Sequence, residues 1–302
     1  MRVLISGAGI AGPTLAYWLA RYGFKPTIIE IAPRLRTGGY VIDFWGAGFD
    51  IADRMGLLPE ISRKGYMVQE VRVGSRSGRR VAGFPADAFS RMTHGRFVSL
   101  PRGEVAASIF GKIEGKVEVI FGDSVDRVEQ TEGGVKVTLE RGVVREFDLV
   151  VGADGLHSRV RELAFGEESR FEKYLGYKVA AFEVKGYRPR DELVYGDAAS
   201  YVSLLAGQGS ALAMVAAYIL AGELHRAKGN YVEAFARYQN LFAPFVFSKQ
   251  KDALRFAGAF APKSRFALFL RNQIFKLMAI PWVADLAVGR DLADKISLPD
   301  YE

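Results

Sequence analysis

The 302-residue chain contains no cysteine, and that absence removes several chemistries at once. Disulfides, thiol nucleophiles, thiolate-bound metals and iron–sulfur clusters are excluded, and a reducing cytoplasm is the compartment such a composition fits. Histidine is nearly as scarce. His94, His157 and His225 stand far apart, so a histidine-rich metal site is not expected. No stretch approaches the roughly 18 uninterrupted apolar residues that a membrane-spanning helix needs. Met1 leads directly into an apolar strand, which predicts no signal peptide. Internal repeats and low-complexity segments are missing too.

Charge is not segregated into blocks. Lys and Arg total 41 against 34 Asp and Glu, a net charge of +7, but the two signs are interleaved. Such a charge could suit an anionic substrate, a membrane surface or nucleic acid, but the interleaving favours a solvated basic surface, with no nucleic-acid partner and membrane contact only a minor alternative. What the chain does have is apolar residues, at 49%. Together with its length, that allows a sizeable core in two domains or one large one.

The most informative stretch is the first thirty residues. Residues 1–5 read as a short buried strand, Gly7-Ala8-Gly9-Ile10-Ala11-Gly12 turn into an apolar helix reaching about Tyr22, and residues 26–29 form a second apolar run ending in Glu30. Each glycine has a reason: Gly7 permits the turn, Gly9 lets backbone N–H groups approach a pyrophosphate, and Gly12 lets the helix pack close to the strand. The helix N-terminus offers unpaired N–H groups and a partial positive charge to phosphates. Glu30, eighteen positions after Gly12, is placed to accept hydrogen bonds from ribose hydroxyls. An acid there disfavours a 2′-phosphate, so FAD or NAD is expected rather than NADP. A plain strand-to-helix turn is the competing reading of the glycines alone.

Beyond Glu30 the pattern predicts an α/β chain. Residues 40–44 form an apolar run after Gly38-Gly39, residues 49–55 a short helix, and residues 68–83 a β-hairpin in a second sheet. A helix over 103–110 follows Leu100-Pro101-Arg102, then strands near 117–121, 125–130 and 135–140. Residues 147–151 read as one parallel strand buried on both faces, delivering the chain to Gly152-Ala153-Asp154-Gly155. A strand over 174–184 is expected, then helices over 209–224, 231–245, 265–278 and 282–288.

Gly7/Gly9/Gly12, then Gly152-Ala153-Asp154-Gly155 with Ser158 and Arg159, then Gly196-Asp197-Ala198-Ala199 with Gly207-Gln208-Gly209 occur in that order. This set resembles the three fingerprints of single-component FAD-dependent aromatic monooxygenases, the family of para-hydroxybenzoate, salicylate and tetracycline hydroxylases. The resemblance implies a Rossmann-like FAD-binding domain, a second β-sheet substrate domain and C-terminal helices. It implies that Gly7, Gly9, Gly12 and Glu30 hold the ADP half of FAD and that Arg102 lies beside the diphosphate and ribityl chain. Asp154 and Gly155 would support the cofactor fold, and Asp197 would bond the ribityl or phosphate portion. Gly207, Gln208 and Gly209 would open a helix aimed at the isoalloxazine. NADH or NADPH would be co-substrate, and O₂ would be activated through a flavin C4a-hydroperoxide to hydroxylate a small aromatic or polycyclic phenol. Asp154 and Asp197 read alternatively as cap or turn residues. His157 reads as exposed or capping, and no catalytic base is identified. Asp43, Phe44 and Trp45 are either strand-end structure or residues facing flavin or substrate. Tyr201, Phe97 and Phe182 either line an aromatic pocket or pack in the core.

One departure from that family is large. Only about forty residues separate Gly155 from Gly196, where the family has a long run of strands and helices, so much of the substrate-covering sheet is missing. Two departures are small: Leu204 stands where proline is common, and Ile31 where arginine is common. The segments divide as 1–67, 99–170 and 193–225 for the FAD-binding domain, 68–98 for a substrate-domain hairpin, 171–192 for a remnant of its sheet, and 226–302 for C-terminal helices. The alternative function is a shortened flavin-binding relative without monooxygenation, acting as an NAD(P)H oxidase, binding a ligand, or inactive. The C-terminal helices are expected to pack against the body, although a basic amphipathic stretch such as 265–288 can also lie on a membrane surface; self-association is the consequence of an uncovered apolar face.

Overall fold

The structure, a computed structural model, describes residues 1–36, 38–67, 70–74, 79–85, 90–91, 93–174, 194–195, 200–260, 262, 264–278, 280, 282–283 and 296–301. In chain order its first elements are β1 (Arg2–Ser6), α1 (Ala11–Arg21), β2 (Lys25–Glu30), β3 (Val41–Trp45), α2 (Ala47–Arg54) and α3 (Leu58–Lys64). Next come β4 (Glu70–Gly74), β5 (Arg80–Pro85), β6 (Phe97–Pro101), α4 (Arg102–Gly111), β7 (Glu118–Phe121), β8 (Val125–Thr131), β9 (Gly134–Leu139), β10 (Val144–Phe147) and β11 (Leu149–Gly152). The last are α5 (Arg159–Phe165), β12 (Val194–Tyr195), α6 (Ser200–Arg226), α7 (Tyr231–Phe260) and α8 (Arg265–Leu277).

The fold is α/β. A parallel sheet in the order β11-β1-β2-β7 lies at its centre. Its middle strand explains why the opening run is apolar throughout. Val3 and Ile5 face the core shared with α1 and α6, whereas Leu4 joins Ile29, Val137 and Phe147 on the other side. A strand covered on both faces has no place for alternating polar residues. The antiparallel sheet β10-β9-β8 provides that second cover.

The hairpin β4-β5 lies in a sheet of its own with β12, as expected. The β3-β6 ribbon carries Ile42, Phe44 and Leu100 into the main core. α6 packs against α1 through Tyr218 and Trp18, whose ring centroids are 4.9 Å apart. It also packs against α2, where a Cβ on Gly48 would lie 2.5 Å from the Ala211 Cα.

Four expectations are corrected. The run 147–151 is not one strand: Phe147 ends β10, Leu149 begins β11, and Asp148 between them accepts the Arg2 backbone N–H at 2.5 Å. A carboxylate cannot sit between two buried apolar faces, so it marks the crossing from one sheet to the other. The helix expected from 209 begins at Ser200. Leu204, unlike proline, keeps its N–H and leaves the preceding turn unobstructed. The helix from 231 continues to Phe260 with Pro244 inside it. Residues 194–195 pair in parallel with β4 rather than joining the central sheet. The strand expected over 174–184 and most of the helix over 282–288 lie outside the described residues.

Candidate functional site

The carboxyl ends of β1, β2 and β11 converge on the glycine turn. Gly7 has φ +108° and donates to the Ile29 carbonyl at 2.7 Å. A Cβ there would lie 2.5 Å from the Ala153 carbonyl oxygen, so the first turn and the Gly152-Ala153-Asp154 turn interlock backbone to backbone. A Cβ on Gly12 would lie 1.9 Å from the Gly7 oxygen. Both positions require glycine because of what surrounds them. Gly9 differs: a Cβ there meets nothing within 4 Å. The open space lies at the start of α1, which has no side-chain cap and no acid in its first turn. A helix N-terminus left in this state is an anion site.

Glu30 closes the other side. Its side chain is buried at the end of β2, with one carboxylate oxygen accepting the Ala8 N–H at 2.7 Å. The other oxygen accepts the Ala32 N–H at 3.0 Å and the Arg36 guanidinium at 3.1 Å. A carboxylate has about four acceptor positions, so these three donors leave room for a hydroxyl. Gly9, the uncapped α1 and Glu30 together fit the adenosine diphosphate half of a dinucleotide.

Asp154 holds the middle turn to the elements around it. It accepts from the Ser6 hydroxyl at 3.3 Å, from the Val160 N–H at 3.1 Å and from the Ser158 hydroxyl, tying the end of β1 to α5. Ser158 is the helix cap, accepting from the Arg161 N–H at 3.1 Å. Gly155 has φ +87° and turns the chain away.

Arg102 is the first residue of α4, and its N–H donates to the Tyr40 carbonyl at 3.0 Å. Its side chain is exposed, and its Cβ would be 3.4 Å from a Cβ on Gly39, so Gly38-Gly39 and Arg102 share one corner. Further along the ribbon, buried Asp43 accepts from the Ser99 hydroxyl at 2.5 Å. The Tyr66 phenol beside them is pushed up by burial and by the Asp43 charge.

The remaining predicted residues do not assemble in the same way. Asp197 lies outside the described residues, and Gly207, Gln208 and Gly209 lie within α6 instead of opening it. His157 is exposed and pairs with Glu168 at 2.7 Å. Phe44, Trp45 and Phe97 are buried. Phe182 is outside the described residues, and nothing is assigned to the Tyr201 side chain. Among the described residues no group of His, Cys, Asp and Glu could hold a metal ion, and no helix is long and apolar enough to cross a membrane. A cavity of about 460 Å³ opens at the opposite, amino end of the sheet, lined by Arg2, Lys25, Glu118 and Arg145. Its charges largely pair with their neighbours, Glu118 with Arg145 at 2.8 Å and Arg2 with Asp148 at 3.9 Å.

Sequence reasoning missed Arg36, Ser99 with Asp43, and the contact of Tyr301 with Glu223. Arg36 carried the best signal, an arginine six residues after Glu30 in a chain where Ile31 occupies the usual arginine position.

Comparisons with known proteins agree with this geometry. A family profile described as FAD binding domain matches residues 1–175. An uncharacterised protein of Mycobacterium tuberculosis is 38% identical over 193 residues, covering 63% of this chain and 51% of that protein. The chain thus spans about half the length of that relative. A flavin-dependent monooxygenase of an unknown prokaryotic organism is 27% identical over 397 residues, covering 100% of this chain and 99% of that one. Since this chain has 302 residues, some 95 of the 397 aligned positions have no residue here. The crystal structure of tetracycline destructase Tet(51) superposes with a TM-score of 0.69 at 25% identity, covering 100% of this chain and 99% of that one. HpxO of Klebsiella pneumoniae, complexed with FAD and uric acid, shares the fold with a TM-score of 0.71 at 17% identity over 96% of each chain.

Proposed function

Because the chain belongs to the FAD-binding-domain family, we propose that it is an FAD-dependent monooxygenase acting on a small aromatic or polycyclic phenol, with NADH or NADPH and O₂ as co-substrates. The observation that carries this reading is the interlock at Gly7, where the two glycine turns meet at the carboxyl end of the sheet while the space at Gly9 stays open. In this reading the α1 N-terminus and Gly7, Gly9 and Gly12 receive the diphosphate, and Glu30 holds the ribose. Arg102 neutralises the diphosphate from the ribbon corner. Asp154 and Gly155 keep the middle turn in place, and Asp197 would bond the ribityl or phosphate portion of FAD. Bound FAD would supply the redox chemistry, accepting reducing equivalents from the nicotinamide and activating O₂. The protein's part is to orient the substrate ring and to exclude water. The likeness to a tetracycline destructase supports a polycyclic substrate.

A second reading, a shortened relative that binds flavin without monooxygenation, is favoured by two observations: the 95 or so unmatched positions and Gly207–Gly209 lying inside a helix. One experiment separates the two. The purified protein is mixed with FAD, the excess is removed by gel filtration, and the retained flavin bands are read. NADH or NADPH oxidation is then followed in the presence of candidate phenols. Hydroxylated product in step with nicotinamide oxidation supports the first reading. Slow oxidation giving only peroxide supports the second, and a colourless protein overturns both.

A further inference from the structure

α8 is turned the opposite way from an ordinary surface helix. Its inward residues are Arg271, 8% exposed, with Phe275 and Met278. Phe275 packs edge-on against Phe84 of β5 at 5.4 Å, and the Arg271 guanidinium lies over the Phe275 ring while bonding the Asn272 side chain at 2.8 Å. The outward residues are Phe266, 75% exposed, with Phe269, Leu270, Ile274 and Leu277; beyond the end of the helix, Ile280 and Trp282 (69%) are exposed as well. The spacing of the five helical residues places them on one stripe of α8, with exposed Arg265 and Lys276 along its border.

The charge of this region is one-sided. From residue 253 to residue 284 the sequence holds Arg255, Lys263, Arg265, Arg271 and Lys276 and no Asp or Glu. A stripe of Phe, Leu, Ile and Trp bordered by cations is the pattern of a helix lying in a membrane interface. Anionic headgroups complement the cations, and juxtamembrane basic residues are drawn to them. A second copy of the same stripe would instead bring cations against cations, with no acid of the segment to pair them.

We propose that α8 and the residues through Trp282 dock flat on an anionic bilayer surface, with Phe266, Phe269, Leu277 and Trp282 entering the interface. The proposal adds a place of action to the chain and does not depend on the reaction assigned above.

Trp282 supplies the readout, because Trp18 and Trp45 are already buried. The purified full chain is mixed with phosphatidylcholine vesicles or with vesicles containing a third phosphatidylglycerol, and flotation and tryptophan emission are measured. The expected result is flotation with the anionic vesicles and a blue shift that Trp282→Phe abolishes. The pair Phe266→Ser and Phe269→Ser, on exposed positions, should remove both signals while circular dichroism and melting stay unchanged. Arg265→Gln with Lys276→Gln should weaken partitioning roughly thirtyfold. Absence of flotation with anionic vesicles overturns the proposal. So does equal flotation of the Phe266→Ser/Phe269→Ser protein. A dimer in sedimentation that this double variant dissociates, without vesicle binding, overturns it in favour of self-association.

Discussion

Replacing Gly9 by alanine separates cofactor binding from folding. A Cβ at Gly9 meets nothing within 4 Å, and its backbone is not in the left-handed region. The substitution therefore costs the apo protein no packing, and by restricting the unfolded chain it should add about 0.4–1 kcal/mol of stability. The same methyl group occupies the space assigned to the diphosphate. With FAD at about one hundred times its Kd, binding stabilises the wild-type fold by roughly 2.7 kcal/mol. For 302 residues, an unfolding entropy of about 2.1 cal/mol/K per residue turns that into a rise in Tm of roughly 4 °C. If alanine weakens FAD a hundredfold, the same concentration leaves only about 0.4 kcal/mol, or less than 1 °C. The assay is differential scanning calorimetry of wild type and Gly9→Ala with and without FAD, alongside a flavin-fluorescence titration. A Gly9→Ala protein with wild-type affinity and an undiminished shift would refute the placement of the diphosphate at this turn.

Gly12→Ala should behave in the opposite way: the 1.9 Å approach to Gly7 forces α1 off the turn, costing the apo protein about 1–3 kcal/mol, which calorimetry would show as a lower Tm without FAD. Glu30→Gln should leave either the Ala8 or the Ala32 N–H facing an amide nitrogen, with a loss of about 1–3 kcal/mol in urea unfolding and weaker FAD binding in calorimetric titration. Glu118 is held below its ordinary value of 4.5, first by the hydrogen bond from Arg145 and then by that from Thr27. Its contribution is therefore complete above pH 4.5 and fades as pH falls through the lowered value. Glu118 is half exposed, so Glu118→Gln should cost at most about 1 kcal/mol at pH 7 and almost nothing near pH 2. Tyr301→Phe removes the 2.7 Å donor to Glu223, a fully buried carboxylate whose Oε2 has no hydrogen-bond partner among the described residues. The expected loss is about 1–3 kcal/mol at pH 7 in denaturant melts.

The turn at Gly7–Gly12 was legible because its signals are local and agree: apolar strand, glycines, apolar helix, apolar strand, acid. The two sheets meeting at Asp148 were harder to see, since the apolar residues on either side look continuous and only the single carboxylate marks the crossing. The start of α6 is hidden because Gly207 and Gly209 resemble a boundary; inside the helix, where Gly222 is a third, each costs about 1 kcal/mol, which the packing of Tyr218, Met214 and Ile219 outweighs. Asp43 and Ser99 are 56 positions apart, and no spacing announces a cross-strand bond of that range. For α8 the periodicity was plain, but period alone does not say which stripe faces inward. That was decided by Phe275 meeting Phe84.

The position of β1 also sets a schedule for biosynthesis. Its hydrogen-bonding partner on one side, β2, ends at Glu30, whereas its partner on the other side begins at Leu149. At roughly 5–20 residues per second, a ribosome takes about 6–24 s to cover that interval. For all of that time the nascent chain carries a complete apolar strand with an open edge, the form most readily captured by another strand. Expression yield should therefore respond to chaperones that shield the emerging first thirty residues, and to synonymous codons that alter how long translation takes to reach Leu149.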